Sequence, residues 1–258
     1  MIDWDMIKVL LTPGETENRS IKVTNIGRGK LDITAKIYYL EQFLFFKAGG
    51  TEYEFELDLN ETKEVGINFF AKKDQEPGVY PGKIVFTGGP IERIVLIVVE
   101  VESEKPLFDV KVEVLPEYRI VYPGDKVLAQ LTIYNLGRIG RVDVNVEYGV
   151  KDLSGSVIIS GNEILAVETQ VSVVKTINLP STIKPDDYVF YSVVNYNHVI
   201  GTGSDMFRVI EKMKFRIPTL YVLLILIIFA ILVLILIIYK LRKKRRVKKY
   251  KPIKKKRK

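Results

Sequence analysis

Pro13-Gly14-Glu15 recurs as Pro123-Gly124-Asp125, and Asn25-Ile26-Gly27-Arg28 recurs at the same offset as Asn135-Leu136-Gly137-Arg138. After a one-residue gap, Gly29-Lys30-Leu31-Asp32-Ile33 is matched by Gly140-Arg141-Val142-Asp143-Val144. Further on, Pro77-Gly78-Val79-Tyr80 is matched by Pro185-Asp186-Asp187-Tyr188. Solenoid repeats run about 20 to 50 residues, so this much longer period predicts two tandem domains. A chain of 258 residues has room for both and for appendages.

Each copy reads as all-β. In TEYEFELDL the acids at 52, 54, 56 and 58 alternate with Tyr53, Phe55, Leu57 and Leu59, the period-two pattern of a half-buried strand. Phe108, Val110, Val112 and Val114 alternate likewise with Asp109, Lys111 and Glu113. In the first copy strands are expected near 6–11, 19–25, 31–40, 53–59, 63–70, 80–86 and 91–101. Seven short strands in about a hundred residues predict an immunoglobulin-like β-sandwich. Tyr80 and Tyr188 each follow a turn and open the penultimate strand, the place of a tyrosine corner whose hydroxyl is tied to backbone. The Asn-x-Gly pairs stand between alternating strands and are expected to supply positive φ at a tight connection.

The order PG[DE], alternating strand, N-x-G, second strand and a later P-G-x-Y before a third resembles the CARDB-type and related Ig-like domains of bacterial and archaeal surface proteins. The resemblance covers roughly residues 6 to 212 and implies a non-catalytic surface role with no particular ligand. The Cys and Trp marks of antibody domains are absent.

The expected organisation is a first sandwich at 1–103, a second at 107–212, a transmembrane helix at 217–239 and a disordered polybasic cytoplasmic tail at 240–258. ESEKPL, Glu102 to Leu107, is the expected hinge or spacer. The second copy has an extra strand, Leu107 to Leu115, where the first has only MIDWD. The first strand therefore reads as clipped, and an upstream reading frame carrying that strand and an export segment is expected.

Ile217 to Tyr239 is twenty-three residues without a charge. At 1.5 Å per residue it reaches roughly 35 Å, enough for a hydrocarbon core of about 30 Å. Fourteen Lys or Arg follow it against three before it, which places the C-terminus in the cytoplasm and the sandwiches outside. The net charge of +8 is this tail: residues 1–239 hold 25 basic and 31 acidic groups. Lys240, Arg242, Lys243, Lys244, Arg245 and Arg246 are the expected membrane-surface anchor, attracted to anionic lipid. Nucleic acid is the weakest reading of the tail, since Tyr250 alone offers little stacking surface.

The chain has no cysteine and one histidine, His198, which excludes thiol chemistry and histidine-cluster metal sites. No P-loop, nucleophile elbow or calcium-loop spacing occurs, so no catalytic residue, cofactor or metal is assigned. The run IYYLEQFLFF has no counterpart in the second copy. Its Tyr38, Tyr39, Phe43, Phe45 and Phe46 form either a platform for sugar or protein, or core filling. Asn18-Arg19-Ser20 and Asn60-Glu61-Thr62 are glycosylation sequons, with Asn18 and Asn60 as acceptors. Turn geometry leaves Arg28 and Arg138 unexplained, and a shared anion contact is the alternative. The function expected is a membrane-anchored envelope stalk or adhesion module that meets an envelope protein or glycan. The rival is an accessory subunit of a membrane-bound secretion or glycan-processing complex.

Overall fold

The computed structural model describes residues 1–137, 140–212, 227–229, 231–238 and 240. Met1–Lys212 form one compact unit and carry sixteen strands.

The first eight are β1 (Met6–Leu11), β2 (Thr16–Thr24), β3 (Leu31–Tyr38), β4 (Leu44–Phe46), β5 (Glu52–Leu57), β6 (Thr62–Phe70), β7 (Gly78–Gly88) and β8 (Ile91–Val101). They make a β-sandwich from a five-stranded sheet, β1-β8-β7-β3-β5, and a three-stranded sheet, β2-β6-β4. Inward residues of both sheets, among them Val9, Ile21, Ile37, Leu57, Ile67 and Val99, fill one core.

The second eight are β9 (Phe108–Val114), β10 (Ile120–Val121), β11 (Lys126–Asn135), β12 (Val142–Asp152), β13 (Val157–Val167), β14 (Gln170–Asn178), β15 (Asp186–Tyr196) and β16 (Val199–Val209). Their sheets run β10-β16-β15-β12-β13 and β14-β11-β9 around a second core.

The repeated motifs are turn chemistry. In both PG[DE] turns the acid's backbone N–H donates to the carbonyl three residues back, Glu15 to Thr12 and Asp125 to Tyr122, each at 3.0 Å. Gly14 and Gly124 sit at φ +86° and +84°, which a type II turn requires at that position. The acid side chain then accepts the N–H of the turn's first residue, Thr12 to Glu15 at 2.8 Å and Tyr122 to Asp125 at 3.2 Å. The tyrosine corners also have a common geometry: Tyr80 donates to the Glu76 carbonyl at 2.6 Å and Tyr188 to the Lys184 carbonyl at 2.8 Å.

The Asn-x-Gly turns work differently from the expectation. Asn25, Gly27 and Asn135 are not at positive φ. Instead the Asn25 Oδ1 accepts the Gly27 N–H at 2.9 Å while its amide donates to the Gly29 and Leu57 carbonyls. The Asn135 Oδ1 accepts the Gly137 N–H at 3.1 Å. A Cβ at 27 would lie 3.1 Å from that Asn25 oxygen, so a larger residue would press on the turn.

The two copies use their opening residues differently. The bridge Ile2↔Val23 stands where Val110↔Ile133 stands in the second copy, but after it the first chain leaves β2. Met6–Leu11 then pair in parallel with β8, whereas the second copy keeps Phe108–Val114 on β11 and gives only Ile120–Val121 to β16. The third strand of the smaller sheet therefore lies against β6 in the first sandwich and against β11 in the second.

This leaves β2 and β14 as open edges, and each carries an ion pair that reaches the core-facing side. Glu17 and Arg19 pair on β2, at positions occupied in β11 by the buried Val127 and Ala129. Lys175 of β14 pairs with Glu163 and lies over the Tyr148 ring. Inward charges make an edge unfit for adding another strand.

Glu102–Leu107 is not a free hinge. The Glu102 N–H donates to the Leu11 carbonyl at 3.0 Å, and its carboxylate accepts the Thr202 N–H at 2.9 Å. Ser103 N–H donates to the Ile200 carbonyl at 3.0 Å and its hydroxyl accepts the Ile200 N–H at 2.8 Å. Beside this seam the outer face of β7 and β8 packs on that of β15 and β16, with Val79, Val98, Leu153, Val189, Tyr191 and Met206 as a small third core. Apolar contact and backbone hydrogen bonds thus join the sandwiches.

Residues 227–229 and 231–238 are helical, and no helix among the described residues is long and apolar enough to cross a membrane. The expected span starts at 217, and its residues 217–226, 230 and 239 lie outside the described residues, as do Arg242, Lys243, Lys244, Arg245 and Arg246 of the tail. Lys240 is helical.

Candidate functional site

The aromatic run divides between core and surface. Leu40, Phe43, Leu44 and Phe46 are buried, with the Phe43 ring 4.6 Å from the Tyr80 ring, centroid to centroid. This segment crosses from the five-stranded sheet, which holds β3, to the smaller sheet, where β4 pairs with β6. In the second copy the chain instead turns back at 153–156, and β13 stays beside β12. The crossing must close one end of the core, which is why its residues are large and unduplicated. Phe43 and Phe46 are therefore removed from the candidate ligand surface.

Tyr39 is 49% exposed at the corner, in the left-handed region at φ 70°. Tyr38 lies on the outer face of β3 near Lys36 and Lys83. Phe45, 40% exposed, lies on the outer face of the opposite sheet. The three do not form one platform.

A different surface gathers hydrogen-bonding groups. An open groove of about 870 Å³ runs over the outer face of β2 and β6 and is lined by Asn18, Ser20, Lys22, Glu64, Gly66 and Asn68, with Trp4 and Lys47 on its sides. Strand register sets the rows: Asn18 opposite Asn68, Ser20 opposite Gly66, and Lys22 opposite Glu64. The Lys47 N–H donates to the Gly66 carbonyl at 2.9 Å. A Cβ at 66 would stand 3.0 Å from the Lys47 Cβ, so glycine lets that side chain lie close over the floor. On the far side the Asp3 carboxylate accepts the Lys22 N–H at 2.8 Å and Asp3 N–H donates to the Lys22 carbonyl at 3.3 Å. These bonds hold the chain at the groove's edge, where Trp4 is 48% exposed.

Ser20 donates to Glu64, and Arg19 pairs with Glu17. Lys22 and Lys47 have no carboxylate partner among the described residues, and the Asn18 and Asn68 amides no hydrogen-bond partner. Sequence reading missed this groove because its members are spread from Trp4 to Asn68 and meet only through the β2–β6 register. The one signal was the chain's sole tryptophan outside any apolar run.

Asn18 is exposed on β2 within this groove. Asn60 is exposed at φ 60°, with its N–H on the Asn25 carbonyl at 2.9 Å, while Thr62 of its sequon shares a 2.9 Å hydrogen bond with Thr24. Arg28 is exposed in the β2–β3 turn, and Arg138 lies outside the described residues. Among the described residues no group of three or more His, Cys, Asp or Glu is placed to hold a metal ion.

No protein-family model matches the chain, and no curated protein matches it. Solved structures resemble it distantly. A Porphyromonas gingivalis protein of unknown function is 11% identical, with 83% of this chain and 99% of that one covered, at a TM-score of 0.40. The CARDB domain of a Pyrococcus furiosus protein, solved with di-metal ions, is 15% identical over 42% of this chain and 90% of that one, at a TM-score of 0.30. Red sea bream transglutaminase is 10% identical over 77% of this chain and 30% of that one, at 0.33. None of these likenesses carries an argument about function, and the β-sandwich assignment rests on the sheets described above.

Proposed function

We propose that the chain is a non-catalytic, membrane-anchored binding protein of the cell envelope, with two tandem Ig-like sandwiches outside the membrane and the basic C-terminus in the cytoplasm. The observation that carries the binding role is the outer-face groove of the first sandwich, where unpaired amides and ammonium groups stand beside an exposed indole. Burying polar groups without partners is costly, whereas groups left free on an open concave surface are ready to meet a ligand. The seam along Glu100–Ser103 supports a rigid head rather than two beads on a flexible linker. Anchoring rests on the uncharged run Ile217 to Tyr239 and the charge asymmetry around it.

The chain has no cysteine, so single-cysteine variants give a clean test of topology. Glu168→Cys in intact cells should react with a membrane-impermeant maleimide, and Lys258→Cys should react only after permeabilisation. The opposite pattern, or recovery of the chain in the soluble fraction, overturns the reading.

The rival, an accessory subunit of a membrane-bound complex, is favoured by one observation. A cleft of about 430 Å³, which shares Trp4 with the groove, is lined by Ile2, Val23, Leu31, Ile33 and Phe86, with Ile26, Ile91 and Ile94 exposed at it. Crosslinking in native membranes separates the two: a stoichiometric membrane-protein partner supports the subunit, and envelope polymer supports the binding module.

A further inference from the structure

We propose that the apolar cleft of the first sandwich is a seat for the strand end of a partner protein, an extended segment with adjacent large apolar and aromatic side chains of the Leu-Phe type. The seat shares only Trp4 with the lining of the polar groove and does not depend on what that groove binds.

The second sandwich has the same place filled. Its β9 runs antiparallel to β11 with Val110 opposite Ile133, Asp109 opposite Tyr134 and Phe108 opposite Asn135. The first sandwich repeats two of these pairs: Ile2 bridges Val23, and the Met1 carbonyl accepts the Thr24 N–H at 2.8 Å. The third place, opposite Asn25, adjoins the cleft, whose lining includes Met1, Ile2, Val23 and Thr24. In the second copy that place holds Phe108, buried in the core with its ring 6.0 Å from the Tyr196 ring in an edge-on contact. Alternate residues of a strand share a face, so a residue opposite Asn25 points the same way as Ile2, which packs on the first core.

Gly88 stands where Tyr196 does, each closing its hairpin opposite Ile91 and Val199. The first copy therefore lacks both rings, and the cleft of about 430 Å³ lies in their place. The Leu136 N–H donates to the Leu107 carbonyl at 2.8 Å, whereas its counterpart, the Ile26 N–H, has no hydrogen-bond partner among the described residues. A free backbone donor beside an apolar pocket is what strand addition uses, the main chain giving affinity and the pocket selecting side chains. Charge does not select the occupant, since Arg93 and Asp5 at the cleft are of opposite sign. Its apolar walls do, because a polar side chain would lose its water there without a partner. Gly201, pressed against the Phe108 carbonyl, is replaced by Arg93 in the first copy, which holds an incoming backbone farther from β8. Met1–Asp3 occupy the β2 edge from Thr24 to Lys22, and the Glu17–Arg19 pair guards the rest, so a strand end fits and a full strand does not.

The experiment uses the full chain in detergent. The chain's own segment 103–108, Ser-Glu-Lys-Pro-Leu-Phe, joined directly ahead of Met1 brings its Phe into the register of Phe108. The melting temperature should rise by about 4 °C, and the emission of Trp4, the sole tryptophan, should shift to the blue. Changing the appended Leu and Phe to Ser should remove both effects. An unchanged melting temperature, or an equal rise with the Ser version, overturns the proposal. A benzoylphenylalanine placed at Ile91 then photo-crosslinks the natural occupant in native membranes. A crosslink to a partner's segment with adjacent large apolar and aromatic residues, lost when the appended segment fills the cleft, supports it. A crosslink to lipid, to a second copy of this chain or to a segment without that pair, or one that the appended segment does not block, overturns it.

Discussion

The Lys8 ammonium lies 2.8 Å from the Glu100 carboxylate. It also donates to the Ser204 carbonyl at 2.9 Å, while the Ser204 hydroxyl donates to Glu100 at 2.6 Å. One lysine of the first sandwich thereby closes a polar ring with the second. Glu100 is almost fully buried, so removing its cation leaves a desolvated charge. Lys8→Met should destabilise the chain by about 2 kcal/mol, and adding Glu100→Gln should recover most of that loss. Denaturant unfolding of the single and double variants checks it, the non-additivity of the cycle being the expected sign of a direct pair.

Glu102, one step along the same seam, gives the junction a pH dependence. Burial pushes its carboxyl up to about 7, opposed by the hydrogen bond from the Thr202 N–H and reinforced by the nearby Glu100 and Asp109, with Lys8 acting against them. Because the folded chain holds this proton more tightly than the unfolded one, stability should be greater near pH 5 and fall as pH rises through 7. The expected difference is on the order of 2 kcal/mol. Glu102→Gln keeps an acceptor for Thr202 and removes the titration, so it should raise stability at pH 8 and flatten the profile. Thermal melts between pH 5 and 8 measure both effects.

Phe43 and Phe45 stand two residues apart and should behave oppositely. Phe43→Ser deletes a ring buried in the first core and should cost about 3 to 5 kcal/mol. Phe45→Ser removes a ring on the outer face and should cost less than about 1 kcal/mol. Chemical denaturation of the two variants provides the comparison.

Tyr39 holds a left-handed backbone conformation that β-carbon sterics disfavour for all residues but glycine. Tyr39→Gly should therefore leave stability unchanged or raise it by about 1 kcal/mol, read as a rise in melting temperature. Gly82 shows the opposite constraint: a Cβ there would come within 2.5 Å of Leu40 Cγ and 2.7 Å of the Tyr38 carbonyl. Gly82→Ala should cost several kcal/mol, because backbone on one side cannot yield.

Strand alternation such as TEYEFELDL and the paired PG turns made the β-sandwich architecture legible, because those signals are local. What escaped the reading depended on partners distant in sequence. The strand expected near 6–11 is β1, but its parallel pairing with β8 was not written in its own residues. Asn-x-Gly suggested positive φ, but its work is done by the Asn25 side chain on the Gly27 N–H. One clue to the junction was present. In IERIVLIVVEV, Leu96 and Val98 are apolar on the face opposite Ile97 and Val99, and a strand apolar on both faces is one covered on both.

The claim that the sandwiches form one head rather than two tethered domains is tested most directly by a distance distribution across the junction. Spin labels at Glu54→Cys in the first sandwich and Glu168→Cys in the second, in an otherwise cysteine-free chain, should give one narrow pulsed-EPR distance peak that broadens in Lys8→Met. A broad distribution in the parent chain, unchanged by Lys8→Met, would contradict the account.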